Sequence, residues 1–552
     1  MKMAGRRVRA WTMLTVLVIL SVALLLRLRG LSFGLPALLD PDEPIFVLLG
    51  LKLLRNGTLN PGWFGHPGST TIYMLAAVEA GVYGVGHLAG RFPDPAAFAR
   101  AIYSDPSVVF LPGRILILVC GLACVWLTWR LGERLFGLRT GLLGAAFLAL
   151  DPLHVRYSQI IRTDVQASMF VLLALLGAVG IAQRGRMRDF VLTGIGVGIA
   201  CATKWPAATV AAAGIGAWAL RWRDHPQERS HLLRGLSLFG IAAVLSLLAA
   251  SPFILLDYPT VLSNLHGEER PRHLGATGAG PLQNLWWYVS GPLVDALGVA
   301  GLVITLPGLI VLMRYYRSFR YVIAPVLAVF LLSIVVQHLV WERWVVPLLP
   351  LLAIAEAHIA LSIYDWLHHR LDQHRLAQGA VIVLLAFALA LPPIMTGNVQ
   401  AKERLSDTRG LATAWAKHHI PAGSSVAVEY LAFDILPQPW RLFYPGGDRG
   451  CIDARRNLAS QIQVNTVDDM RAGRALVDLG NIPPNKIESC RADFLIIANW
   501  DRYAAESSFY PSELATYAAL LKGGEQVAVF RPQRGKTGGP VVRVWRLQGA
   551  AN

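Results

Sequence analysis

Apolar runs near the roughly 20 residues that a helix needs to cross a bilayer recur from the N-terminus to about Pro393, and they are the strongest constraint on the fold. A water-soluble core has no use for that many. With 54% hydrophobic and only 16% charged residues, and a mean hydropathy of +0.46, the chain reads as a polytopic membrane protein. Its formal net charge of +16 would suggest nucleic acid in a soluble protein. Here Lys and Arg gather in short loops between apolar runs, where they set orientation, and nucleic acid is not an expected partner.

The first apolar run, "WTMLTVLVILSVALLL", follows a basic "MKMAGRRVRA" but lacks a small-residue cleavage site, so it reads as an uncleaved span. Basic clusters around Arg7, Arg134, Arg186, Arg229, Arg317 and Arg370 belong on the cytoplasmic side. That placement leaves "TTIYMLAAVEAGVYGVGHLAG" as a helix at the outer face or re-entrant. About eleven spans remain, near 9–29, 108–130, 140–154, 164–183, 190–203, 206–220, 235–255, 290–313, 321–338, 343–363 and 377–396. An odd count puts the C-terminus outside.

The expected organisation is a transmembrane domain over residues 1–396, with a long first outer loop at 30–107, and a soluble extracytoplasmic α/β domain over 397–552. In the latter, "SSVAVEYLAF", "DFLIIANW", "EQVAVFRP" and "VVRVWRL" read as strands, while "TRGLATAWAKHH" and "MRAGRALVDLG" have helical spacing. Cys451 and Cys490 are its cysteines. The compartment permits a disulfide between them, but spacing does not establish one.

This topology sends charge from distant segments to one face. Asp42 and Glu43 lie in "LLDPDEPIFVLL", Arg156, Arg162 and Asp164 in "HVRYSQIIRTDVQ", Lys204 in "CATKWP" and Arg343 in "WERWVVPLLP". Ionised groups at membrane depth are costly and are usually paired or functional. Plain alternatives exist for each. Asp42 before Pro44 fits the N-cap of a helix that stops at Asn56-Gly57, Asp164 fits a helix start, and Lys204 and Arg343 fit snorkelling to headgroups. His66 reads as a loop residue. Gly194, Gly196 and Gly198 fit close helix packing and no phosphate loop. Nothing matches an ATP-binding motif.

The acidic "PDEP" loop after the first span, the "RLGERLFGLRTGLLGAAFLALDPLHVRYSQIIRTD" stretch, "ATKW", "ERWVVPLLP" and the outer domain together resemble the GT-C superfamily of integral-membrane glycosyltransferases. The pattern is nearest to the protein O-mannosyltransferase and lipid A aminoarabinose transferase group, which in the latter enzymes has a Lys-Pro pair where this chain has His66-Pro67. The resemblance implies a GT-C fold of about 11–13 transmembrane helices. It also implies inverting transfer of a hexosyl or pentosyl group from a polyprenyl-phosphate donor to a lipid, glycan or protein acceptor, outside the plasma (inner) membrane. By the same resemblance Asp42 is the general base and Glu43 supports it. Lys204, Arg343, Arg162 and His66 hold the donor phosphate, and Asp164 binds a divalent metal ion or orients the donor. A polytopic transporter or flippase is the rival reading, and a non-catalytic scaffold binding cell-wall material a third. Charge at one face instead of the midplane, and the lack of an inverted repeat, weigh against the transporter.

Overall fold

The computed structural model describes residues 2–268, 270–371, 375–429, 438–454 and 477–547. Every expected span falls on a helix, beginning with Lys2–Leu28 and ending with Arg375–Leu405. Among the described residues seven helices are long and apolar enough to cross a membrane. The segments 138–150, 187–203, 211–224 and 319–335 are shorter. Thirteen residues rise only about 20 Å, less than the roughly 30 Å hydrocarbon core. The expected span at 140–154 is cut where Asp151 caps a new short helix, Pro152–Tyr157, by accepting from the His154 backbone N–H at 2.8 Å.

Close packing of these helices uses the glycines of "GIGVGIA". A Cβ on Gly196 would lie 2.6 Å from the Ala174 backbone nitrogen, while Gly194 and Gly198 face the backbone of helix Arg229–Ala250. The three glycines alternate between two neighbouring helices, which supports the packing reading over any ligand role.

The long loop after the first span, residues 30–107, folds onto the helix bundle around its own core. Its first helix, Glu43–Asn56, starts beside Pro44 and ends at Gly57 in the left-handed conformation, φ 61°, as the Asn-Gly stop predicts. Helix Ser69–Leu88 packs on it, and Phe46, Val47, Leu53, Ile72 and Leu75 meet Phe98, Phe110 and Ile161 in one cluster. Helix 69–88 is not among the seven long apolar helices.

The C-terminal domain contains a six-stranded sheet in the order β3-β2-β1-β4-β6-β5, with β1 Ser425–Val428, β2 Arg441–Pro445, β3 Cys451–Asp453, β4 Phe494–Ile497, β5 Gly524–Phe530 and β6 Val542–Leu547. Strands β2, β1 and β4 run parallel; β3 is antiparallel to β2, β6 is antiparallel to β4, and β5 is antiparallel to β6. Four of these strands follow from alternation in the sequence. β2 escapes it because it runs into Pro445-Gly446-Gly447, which reads as a turn, and β3 because it has only three residues; β3 is held at the edge by the Cys451–Cys490 disulfide. The helix at "TRGLATAWAKHH" is present as Thr408–His419. Most of the helix expected at "MRAGRALVDLG" lies outside the described residues.

At the carboxyl end of β1 and β4, Glu429 is buried and accepts the backbone N–H of Asn499 at 2.8 Å, together with the Ala498 N–H and the Tyr517 hydroxyl. Burial, aided by the neighbouring Asp478, pushes the Glu429 carboxyl up to about 8 from an ordinary 4.5. A folded-state pKa above the unfolded one stabilises fully below about pH 4.5 and loses that contribution as pH rises through about 8. The domain should therefore weaken as pH rises between those values. Amide exchange in β1 and β4 should accelerate over that range beyond its intrinsic rise in the parent and not in Glu429→Gln. The same acceleration in both would remove Glu429 as the cause.

Candidate active site

The "PDEP" carboxylates part company at the helix start. Asp42 occupies the N-cap position with φ −92° and ψ −24°, yet its side chain caps no backbone N–H. It turns to the Arg162 guanidinium, with which it pairs closely, and to Arg343 at 3.8 Å. The plain N-cap reading of Asp42 therefore fails. Glu43 points the other way and is fully buried. It accepts from Arg114 Nε at 2.9 Å and Nη2 at 2.6 Å and from the Ile161 N–H at 2.9 Å. Arg114 also donates to the Leu31 and Phe33 carbonyls at 2.7 Å each, so this ion pair locks the first loop to helix Ser107–Phe136.

Arg162 forms a bridge between two loop carboxylates, since its Nη2 also reaches Asp40 at 3.1 Å. It sits at the N-cap of helix Thr163–Arg184, in extended conformation, and the preceding Gln159 donates to the carbonyls of Arg27 at 2.7 Å and Arg29 at 2.8 Å. The stretch after Asp151 is thereby fixed against the end of the first span. One residue on, Asp164 pairs with Lys204 in a buried contact. Lys204 is held where loop 63–68 docks: the Trp205 N–H donates to the His66 carbonyl at 2.7 Å, and the Gly68 N–H to the Thr203 carbonyl at 3.3 Å.

Arg343 arrives from a different part of the chain. The Val340 N–H donates to the Ala276 carbonyl at 2.9 Å and the Gly278 N–H to the His338 carbonyl at 2.7 Å, placing Trp341 so that the Arg343 guanidinium lies 4.2 Å from its ring centroid. Glu342 beside it accepts from Arg156 at 2.7 Å and from the Tyr157 hydroxyl at 2.8 Å. The C-terminal domain closes on the same loop, for Arg409 donates to the Leu39 carbonyl at 2.9 Å.

The result is one charged constellation in which Arg156, Arg162, Lys204 and Arg343 balance Asp40, Asp42, Asp164 and Glu342. Burial opposes ionisation of Asp42, but Arg162 and Arg343 outweigh it and hold its carboxyl below the usual range. The Asp42 side chain is still 34% exposed, against 12% for Arg162 and 13% for Arg343, so of the three it is the most accessible. His66 stands beside it, stacked on Phe46. Burial and the nearby Lys204 and Arg343 push its imidazole down to about 3, leaving it neutral and able to donate one hydrogen bond. Among the described residues no three His, Cys, Asp or Glu side chains come together as metal ligands. Asp164 pairs with Lys204.

Every residue singled out from the sequence except Glu43 thus meets at one face, and Glu43 stands just behind it. The sequence reading did not weigh Asp40, Glu342 or Arg114. Arg114 had a signal of its own, an arginine inside the apolar run "FLPGRILILV". Asp40 and Glu342 had none beyond lying next to residues already noticed.

Helical bundle, acidic loop after the first span and C-terminal sheet domain are arranged as in the GT-C fold. The sequence pattern of the dolichyl-phosphate-mannose-protein mannosyltransferase family matches residues 96–255, a part of the chain that holds Arg162, Asp164 and Lys204 but not Asp42 or Arg343. The structure is similar to ArnT from Cupriavidus metallidurans bound to undecaprenyl phosphate, with 12% identity, 98% of this chain and 99% of that one covered, and a TM-score of 0.53. It is also similar to the apo oligosaccharyltransferase of Archaeoglobus fulgidus, with 11% identity, coverage of 92% and 72%, and a TM-score of 0.50. No curated protein matches the chain by sequence.

Proposed function

We propose that this chain transfers a sugar from a polyprenyl-phosphate carrier to the hydroxyl of a lipid, glycan or protein acceptor at the outer face of the plasma (inner) membrane. The observation that carries the reading is the Asp42 carboxylate, freed from helix capping and held accessible between Arg162 and Arg343 beside Lys204. The undecaprenyl phosphate bound by ArnT, a protein of the same fold, supports the choice of carrier.

In this reading the acceptor oxygen attacks the anomeric carbon as the bond from that carbon to the phosphate oxygen breaks. The electron pair leaves with the phosphate, the acceptor proton passes to Asp42, and single displacement inverts the centre. Arg343 and Lys204 meet the charge that grows on the leaving phosphate, with neutral His66 as a further donor. Arg162, shared with Asp40, keeps Asp42 aimed. Glu43 acts through Arg114 as a positioning residue. No step needs a metal ion. Conversion of a labelled polyprenyl-phosphate sugar by purified protein tests the reading; transport of the intact lipid without conversion would instead support the flippase alternative.

If Lys204 and Arg343 hold the same phosphate, their losses should not add. Donor dependence for Lys204→Ala, Arg343→Ala and the double variant should show coupling of about 0.5–3 kcal/mol. Arg343→Lys should remain impaired, because an ammonium cannot grip two phosphate oxygens as a guanidinium does. Additive losses with a parental Arg343→Lys would favour snorkelling and remove both from the donor site. Orientation is tested separately. In intact cells a membrane-impermeant thiol reagent should label a cysteine engineered beside Gly538 and not one beside Arg186; the reverse pattern would invert the topology.

A further inference from the structure

A cavity of about 330 Å³ lies between the first span, the last span and the short helix Pro152–Tyr157. It is separate from the face that holds Asp42. Leu26, Leu150, Val155 and Ile394 make apolar walls. Val22 and Met395 line it too and are 38% and 59% exposed on the helix surface, so the cavity opens sideways, where a bilayer would stand.

Its polar end is one-signed. Arg29 and Arg404 line it, and no Asp or Glu does. Arg29 donates to Asn398 at 2.9 Å. Arg404 is the unusual group, for its Nε and Nη1 are buried and have no hydrogen-bond partner among the described residues. It lies in the last turn of helix Arg375–Leu405, just beyond the apolar stretch. A guanidinium with buried, unpaired N–H groups at the end of a membrane helix is costly unless an anion completes it. An apolar slot that opens sideways and ends on such a fork matches a molecule with a hydrocarbon tail and an anionic head.

We propose that this cavity binds a phosphate-bearing acidic membrane lipid, its chain along Leu26, Val155 and Ile394 and its phosphate on Arg404, as a site additional to the one that holds the sugar donor. The proposal is independent of the transfer chemistry. The helix between the two sites links them: Pro152 and Val155 face the cavity, while Tyr157 at its other end donates to Glu342 in the charged constellation. A lipid seated there would bear on the segment that carries Arg156 and Arg162.

The test is native mass spectrometry of the full chain, purified in detergent with an equimolar mixture of phosphatidylglycerol and phosphatidylcholine of identical acyl chains. The parent should retain phosphatidylglycerol preferentially. Arg404→Ala should lose that retention about tenfold, as expected for removal of a charge-assisted hydrogen bond, and Arg404→Lys should keep part of it. Gly397→Leu provides an independent arm. A Cβ there meets only Pro152, at 3.6 Å, so the longer side chain grows into the cavity with Arg404 intact, and it should also lose the lipid. Thermal midpoints confirm that the variants are folded, and all readouts are of binding alone. Equal retention of the two lipids, parental retention by Arg404→Ala or by Gly397→Leu, or displacement of the lipid by millimolar inorganic phosphate would each overturn the proposal.

Discussion

Asp42→Asn should lower turnover by about 10²-fold or more while leaving the fold intact. The expectation of an intact fold rests on what Asp42 does not do. Its side chain caps no helix N–H, and Arg162 keeps Asp40 as a partner at 3.1 Å when the Asp42 charge is removed. Asparagine therefore leaves no cation stranded, while it cannot accept the acceptor's proton. The pH profile carries a second mark of the same group. Because Arg162 and Arg343 hold the Asp42 carboxyl below its usual range, the acid limb of the parent should fall below the ordinary aspartate value, and a normal or raised acid limb would assign it to another residue. Measurement is single-turnover transfer from a labelled polyprenyl-phosphate sugar, normalised to folded protein. Near-parental transfer by Asp42→Asn would end the general-base assignment.

Glu43→Gln should do the opposite, damaging stability first. Both Glu43 oxygens are occupied by Arg114 and the Ile161 N–H, and the pair has no exposed surface. Glutamine keeps one acceptor oxygen, but the amide NH2 that replaces the other sets a donor against a donor at Arg114 or the Ile161 N–H, and the buried guanidinium loses its counter-charge. Breaking a buried pair from one side costs about 3–5 kcal/mol, whereas replacing both partners by apolar groups is often close to neutral. A clear fall in the thermal midpoint is expected for Glu43→Gln, with much of it recovered in Glu43→Leu combined with Arg114→Met. Parental stability in the single variant, or equal losses in single and double variants, would show that the pair does not lock the loop.

These two neighbours show how far the sequence reached. Two carboxylates side by side before a helix announce that something there is charged for a reason, but no pattern says which one turns outward. That is decided by Arg162 on one side and Arg114 on the other, which stand 120 and 71 residues further along the chain. Glycine packing and the Asn56-Gly57 stop were legible because each depends on local geometry. Strands β2 and β3 were not, since β2 runs into the turn signal Pro445-Gly446-Gly447 and β3 has only three residues.

By itself the sequence determined that the chain is a membrane bundle with an acidic loop after its first span and a C-terminal α/β domain, because burial of apolar surface in lipid and local capping act on neighbouring residues. Only the tertiary structure decided that Lys204 is spent partly on Asp164 and that Arg343 faces Asp42. It alone also shows that two Arg404 N–H groups end an apolar cavity without a partner among the described residues. Ion pairing is decided by distance in space, and helices that are far apart in the chain bring these charges together only when their apolar faces have packed.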